Sequence, residues 1–303
     1  MSGNCFIGSV IVVSGAKRAI VLFVLLGSFF FWRSSAFAAL FVNGHAVQDE
    51  AITVEGSTLV KLRALTDPSW LVFAYDNKTH IVTAHTKDNS KFLQMKVGEK
   101  TAAVNGKPVV LDVPAVVKNG LTYVPLRFIG ETLGVQVTNN ATEKRVIVRT
   151  PRGQSDYKML MNGDLTEARR IAIGLSRVSN GSVPSFDVNW EGWSSTSYSF
   201  PEGETLRFTV EMEGETSYYE VNDEGLAVLK GKVYPEKNQA WGTVPSFGAS
   251  VFFWDEFMAG LLDYGRTDEN GKPLQTWRLG DPDNPNGWNI VPIDGEQRID
   301  AAA

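Results

Sequence analysis

The strongest constraint on this chain's fold is a duplication. "FVNGHAVQDEAITVEGSTLVKLRAL" runs from Phe41 to Leu65, and "AVNGKPVVLDVPAVVKNGLTYVPLRFI" runs from Ala103 to Ile129. Val-Asn-Gly recurs at 42–44 and 104–106, an offset of 62, and Leu-Arg at 62–63 and 126–127, an offset of 64. A Gly-polar turn precedes each Leu-Arg, at Gly56-Ser57-Thr58 and Gly120-Leu121-Thr122. After each come an Asp/Asn turn and a short apolar run, Val72 to Ala84 and Val135 to Thr150. A unit that recurs with so little drift is one supersecondary building block used twice.

The second copy shows what the block is. Val-Asn-Gly is a tight-turn signal between strands. "LTYVPL" alternates as a strand and meets Pro125, whose missing N–H costs nothing at a helix start. Phe128, Ile129 and Leu133 then share a helical face, and Gly134 is placed to close the helix in the left-handed conformation. Val135 and Val137 begin a strand, Asn139-Asn140 turn the chain, and Val146 and Val148 return it. The expected fold class is α+β. Two small antiparallel sheet-plus-helix repeats, 39–85 and 86–150, precede a helix-plus-meander module.

The motif Val104-Asn105-Gly106, Tyr123-Val124-Pro125-Leu126-Arg127-Phe128-Ile129 and Val146-Ile147-Val148 resembles the copper amine oxidase N-terminal, or stalk, domain family. The resemblance is specific over 100–150 and looser over 41–85, where Lys61 replaces the proline. It implies an antiparallel sheet wrapped around a helix, used as an accessory module of exported proteins in Gram-positive bacteria. It implies no copper and no modified tyrosine, because in the amine oxidases these belong to a separate catalytic domain with three histidine ligands. The chain's three histidines, His45, His80 and His85, all lie in the first repeat on different turns and strands, so no metal and no cofactor are expected. Asn105, Gly106, Pro125, Leu126, Arg127, Phe128 and Gly134 read as structural. Arg127 and its repeat mate Arg63 are expected to pair with a local carboxylate or carbonyl and orient the helix.

Residues 1–38 read as an export signal. Lys17 and Arg18 precede the 14-residue apolar run Ala19–Trp32, and Ala36-Phe37-Ala38 is a small-x-small cleavage pattern. The run is shorter than the ~20 residues of a spanning helix; the alternative is an uncleaved N-terminal anchor, the one membrane contact expected. Cys5, the single cysteine, lies upstream of the run. The mature chain then has no disulfide, thiolate metal site or cysteine nucleophile. Removing 1–38 takes three of the 29 basic residues (Lys17, Arg18, Arg33) and none of the 34 acidic ones, which leaves 26 against 34, a net charge of −8. That balance argues against a nucleic-acid partner. Localisation is expected to be secreted or at the extracellular surface.

"PRGQSD" after Thr150 reads as a linker, placed at 151–163. The α+β module is expected over 164–235. Asp164 and Glu167 form a capping-box pattern, and Leu165, Ala168, Ile171, Ala172, Leu175 and Val178 make an amphipathic helix ended by Asn180-Gly181. Arg169, Arg170 and Arg177 are expected on its solvated face. "ETLRFTVEME" alternates strictly, with Leu206, Phe208, Val210 and Met212 on one face. Two further runs after Gly214 and Asp223-Glu224-Gly225 complete a three-stranded meander. Residues 236–303 form an aromatic-rich extension with a hairpin tip at Asn270-Gly271.

No nucleophile elbow, zinc-protease helix motif, phosphate loop or Cys–His pair occurs, and no histidine lies beyond His85. The reading is an exported, non-enzymatic scaffold or binding module whose partner is a cell-wall glycan or another envelope protein. Trp190, Trp193, Trp241, Trp254, Trp277 and Trp288 are the candidate glycan-stacking residues. A glycan reading expects several of them exposed in one row or groove. A hydrolase alternative needs a pair of facing acids in the C-terminal half, one with a raised pKa; Asp255 and Glu256, as neighbours, are poorly placed for it.

Overall fold

The computed structural model describes residues 39–48, 51–65, 70–186, 195–256, 259–280 and 290–301. Residues 1–38, expected from the sequence to be an export signal, and Trp190, Trp193 and Trp288 lie outside them. In the first half the strands are β1 (Ala39–Val42), β2 (His45–Val47), β3 (Ala51–Val54), β4 (Ser57–Lys61), β5 (Leu71–Asp76), β6 (Ile81–Thr86), β7 (Phe92–Lys96), β8 (Thr101–Val104), β9 (Lys107–Val110), β10 (Val116–Lys118) and β11 (Leu121–Pro125). Then come α1 (Leu126–Leu133), β12 (Gln136–Asn140) and β13 (Arg145–Arg149).

These elements form an α+β arrangement of largely antiparallel sheets, but the two repeats are not separate sheets. They share strands. β4 of the first repeat pairs with β11 of the second, Lys61 opposite Tyr123 and Leu59 opposite Pro125. β1 pairs with β13, Phe41 opposite Ile147, and this pairing is parallel, a correction to the all-antiparallel expectation. The sheets run β12-β13-β1-β2 and β10-β11-β4-β3, and β5 to β9 form a meander. Helix α1 buries Leu126, Ile129 and Leu133 in a core with Val60, Leu65, Leu93 and Val124. Each fully buried large aliphatic side chain contributes roughly 1.5–3 kcal/mol. Pro125 sits just before the first helical turn, and Gly134 (φ 78°) closes the last one, its N–H donating to the Gly130 carbonyl.

The Val-Asn-Gly turns have both central residues at positive φ: Asn43 (53°) with Gly44 (81°), and Asn105 (49°) with Gly106 (77°). This is the hairpin turn whose twist matches that of the strands. Each asparagine also clips a second segment. Asn105 Oδ1 accepts from Phe92 N (2.7 Å), and its amide donates to Ser90 O (3.2 Å). Asn43 Oδ1 accepts from Thr150 N (2.9 Å), and its amide donates to Thr150 Oγ1 (3.0 Å).

The stretch after Thr150, expected as a linker, is helix α2 (Pro151–Asn162). Thr150 caps it by accepting from Gly153 N, and Pro151 stands at its first position, the arrangement that favours a helix start. Helix α3 (Leu165–Gly174) follows, its Asp164 cap accepting from Glu167 N. It stops earlier than Asn180-Gly181. The next strands are β14 (Arg177–Val178), β15 (Thr196–Pro201), β16 (Arg207–Met212), β17 (Glu215–Val221), β18 (Ala227–Tyr234), β19 (Gln239–Gly242), β20 (Ser250–Glu256), β21 (Leu261–Thr267) and β22 (Pro273–Gly280). Among the described residues these make one nine-stranded sheet, β14-β18-β17-β16-β15-β20-β21-β22 with β19 beside β18. Four strands of the aromatic-rich extension, β19 to β22, therefore join the meander's sheet. α2, α3 and Ile290–Ile293 cover one face, burying Phe200, Phe208, Val210, Val251 and Phe253.

Ala36–Ala303 form one compact unit. The β17–β18 turn, Asn222–Leu226, docks on β12, β13 and β1. Leu226 packs with Phe41 and Ile147. Glu224 accepts from Arg145 Nη1 (3.0 Å) and from the Asn140 amide (2.6 Å), and Arg145 Nη2 donates to Asn180 Oδ1 (2.7 Å). Arg149 donates to the Asp223 carbonyl and lies 3.8 Å from the Tyr157 ring centroid. A Cβ on Gly44 would sit 2.7 Å from Leu175 Cδ2 and 3.3 Å from Gly225 O, whereas Gly106 has open space. The first Val-Asn-Gly turn is thus part of the junction, and the second is free of it.

Candidate functional site

In a strand successive side chains alternate between faces, and paired residues of neighbouring strands share a face. Tyr198 is in register with Val210 and Phe253, Phe253 with Tyr264, and Tyr264 with Trp277. That row faces the helices. The opposite parity forms the outer face. Ser197 pairs with Glu211 and Trp254, Trp254 with Asp263, and Asp263 with Arg278. Beside it runs a second outer row in which Ser199 pairs with Thr209 and Phe252, Phe252 with Gly265, and Gly265 with Thr276.

Trp254, 40% exposed, stands on β20 inside the sheet, between β15 and β21. A depression of about 310 Å³ beside it is lined by Ser195, Ser197, Glu211, Glu213, Gly214, Phe252 and Trp254. On its other flank Arg278 grips Asp263 with two bonds of 2.6 Å, and this hydrogen bonding holds the Asp263 carboxyl below the usual carboxylate range. Further along the sheet Tyr218 is pushed up to about 12, first by burial and then by its hydrogen bond to Glu220, so it stays neutral at physiological pH.

The described tryptophans do not form one row. Trp277 lies on the helix-side face, stacked on Tyr264 with ring centroids 5.4 Å apart and packed against the core. Trp241 is half-buried on β19, opposite Lys232. Trp254 is the one among them that presents its ring on the outer face. Its neighbours Ser197, Glu211 and Phe252 carry no motif; only alternation and register bring them together.

A larger depression of about 500 Å³ lies beside α1, lined among others by Ser57, Asp112, Leu126, Arg127, Phe128, Glu131 and Val137. It follows from how α1 sits in the fork between the two four-stranded sheets. Arg127 pairs with Asp112 at 3.5 Å, both well exposed, the local carboxylate its position suggested; exposed pairs contribute little, about 0–1 kcal/mol. Arg63 is also exposed.

His80 takes a positive φ of 57° and its Nδ1 lies 2.9 Å from the Tyr75 hydroxyl. His85 Nδ1 approaches the Thr86 carbonyl, and His45 is exposed on β2. Among the described residues no three His, Cys, Asp or Glu side chains group as a metal site requires. Of the carboxylates on β20, Asp255 is pushed up by burial, but alternation points it away from Glu256, Trp254 and the outer depression. An acid whose folded pKa lies above its ordinary value of 3.8 costs stability as pH rises through that value and beyond, because the unfolded chain releases its proton more readily. Asp255→Asn is therefore expected to raise the melting temperature at pH 7, with the gain gone below about pH 3.8. Calorimetry at the two pH values checks it.

Residues 41–148 match the family model of the copper amine oxidase N-terminal domain. In a comparison with curated proteins, none matches the chain.

Proposed function

We propose that this is an exported, non-enzymatic protein of the cell surface or the secreted fraction. Its copper amine oxidase N-terminal-type domain is a scaffold that carries the nine-stranded sheet and presents the outer face to a binding partner. The observation that carries this reading is the junction: Arg145, Glu224, Asn140, Phe41, Ile147 and Leu226 join the two halves with buried ionic and apolar contacts. A rigid mount of this kind suits presentation of a surface, whereas a flexible tether suits independent modules.

Export is supported by the apolar run Ala19–Trp32 and the Ala36-Phe37-Ala38 pattern. Among the described residues no helix is long and apolar enough to cross a membrane. The non-enzymatic reading is supported by the separation of the chemistry-bearing groups: the three histidines stand on different elements of the repeat domain, and the one carboxyl of β20 with a raised pKa faces away from the outer depression.

The test is fractionation of cells producing the chain with a C-terminal tag, with mass spectrometry of its N-terminus. The reading expects the mature chain, starting near residue 39, in the envelope or the medium. It also expects Trp254→Ala to lower retention on isolated envelopes. A cytoplasmic pool at full length, or retention indifferent to that substitution, would sink it.

A further inference from the structure

Resting on that reading of the outer face, we infer that its ligand is an uncharged glycan laid across Trp254 and Phe252. The argument starts from what is unusual about Trp254. A large aromatic ring, exposed on a strand inside the sheet, is surrounded on its own face by polar side chains: Ser197 on one side, the Asp263–Arg278 pair on the other. Phe252 is the aromatic neighbour on the same strand and face. An apolar peptide or acyl chain would need a continuous apolar wall, and among the described residues this depression offers two aromatic rings, Phe252 and Trp254.

The rest of the lining specifies the other half of the ligand. Ser195 and Ser197 both donate and accept, and the carboxylates of Glu211 and Glu213 only accept. A partner that fits must show a flat C–H face to the rings and several O–H donors around its edge. A pyranose does both, since its axial C–H bonds suit the negative face of an aromatic ring. The volume, about 310 Å³, falls at the low end of the ~300–1,000 Å³ range of small-molecule sites, which suits a short saccharide segment on an open surface.

Charge decides between glycans. Asp263 is neutralised by Arg278 in a two-bond pair, whereas Glu211 and Glu213 are the charged groups of the depression itself, which among the described residues has no basic side chain in its lining. An anionic chain, uronate or phosphate-bearing, would bring like charge against them. An uncharged one would use them as acceptors. All these groups except Ser195, Glu213 and Gly214 stand on strands, so the surface is already ordered before binding.

The experiment titrates the purified chain with cellohexaose, xylohexaose and N-acetylchitohexaose, and with hexagalacturonate as the anionic comparison, following tryptophan fluorescence and heat. Saturable binding of at least one uncharged oligosaccharide is expected. Trp254→Ala should weaken it at least about ten-fold, Trp254→Phe less, with unchanged urea midpoints showing that the fold survives. Absence of binding by all three up to about 10 mM, an affinity weaker than about −2.7 kcal/mol, overturns the saccharide assignment. If Trp254→Ala still lowers envelope retention in that case, the surface stands and its ligand is of another class; if it does not, the functional reading falls with it. Binding indifferent to Trp254→Ala overturns the site, and Trp254-dependent binding of hexagalacturonate overturns the charge selection.

Discussion

Glu296→Ala is expected to cost about 3–5 kcal/mol of stability, because it leaves a guanidinium buried without its counter-ion. Arg169 and Glu296 have side chains only 2% exposed. Two bonds join them, at 2.6 and 2.8 Å. Glu296 Oε1 also accepts from Gly203 N (2.7 Å), and Arg169 Nε donates to the Glu204 carbonyl (2.9 Å). The pair ties α3 to the C-terminal strap, where Arg298 donates to the carbonyls of Met159, Leu160 and Gly163 at the end of α2, and Asp300 accepts from Thr205 N and Leu206 N. Urea unfolding of Glu296→Ala measures the loss. The double variant Arg169→Met/Glu296→Leu should recover most of it, since apolar side chains of similar size need no partner. A loss under about 1 kcal/mol in the single variant would mean that the pair is hydrated or replaceable.

That same pair shows why the sequence reading put Arg169 in the wrong place. Helical spacing set it beside Arg170, on the polar side of α3. Its partner is 127 positions away, and no local pattern reports such a contact. What is local was legible: the Asn-Gly turns, the Pro125 start and Gly134 stop of α1, the Asp164 cap, the Phe208/Val210 alternation. The helix after Thr150 was also written in the sequence, as a Thr cap followed by proline, but Gly153 and the polar run argued for a linker. The exchange of strands between repeats could not be read, because β1 pairs with β13, and β4 with β11, across long stretches of intervening chain that no local pattern reports. The outer face was half legible. Trp254 stood out as a residue type; Ser197 and Glu211 join it only through strand register.

Glu224→Ala is expected to split the unfolding of the chain into two transitions, one for the repeat domain and one for the nine-stranded sheet. Glu224 is the ionic hinge-pin of the junction, with Arg145 and Glu224 side chains 6% and 12% exposed. Its carboxylate takes bonds from Arg145, Asn140 and Asn222. Removing it leaves Arg145 with Asn180 at 2.7 Å and Glu143 at 3.6 Å, so the guanidinium keeps a weak partner and the expected cost is about 2–3 kcal/mol. Glu143→Ala is the control: that more exposed and more distant carboxylate should contribute no more than about 1 kcal/mol and leave one transition. Calorimetry separates the cases. A single transition at the wild-type midpoint for Glu224→Ala would show that Leu226, Phe41 and Ile147 hold the junction without the ion pair. Two transitions, with envelope retention reduced although Trp254 is intact, would show that the binding face works only while the scaffold holds it still.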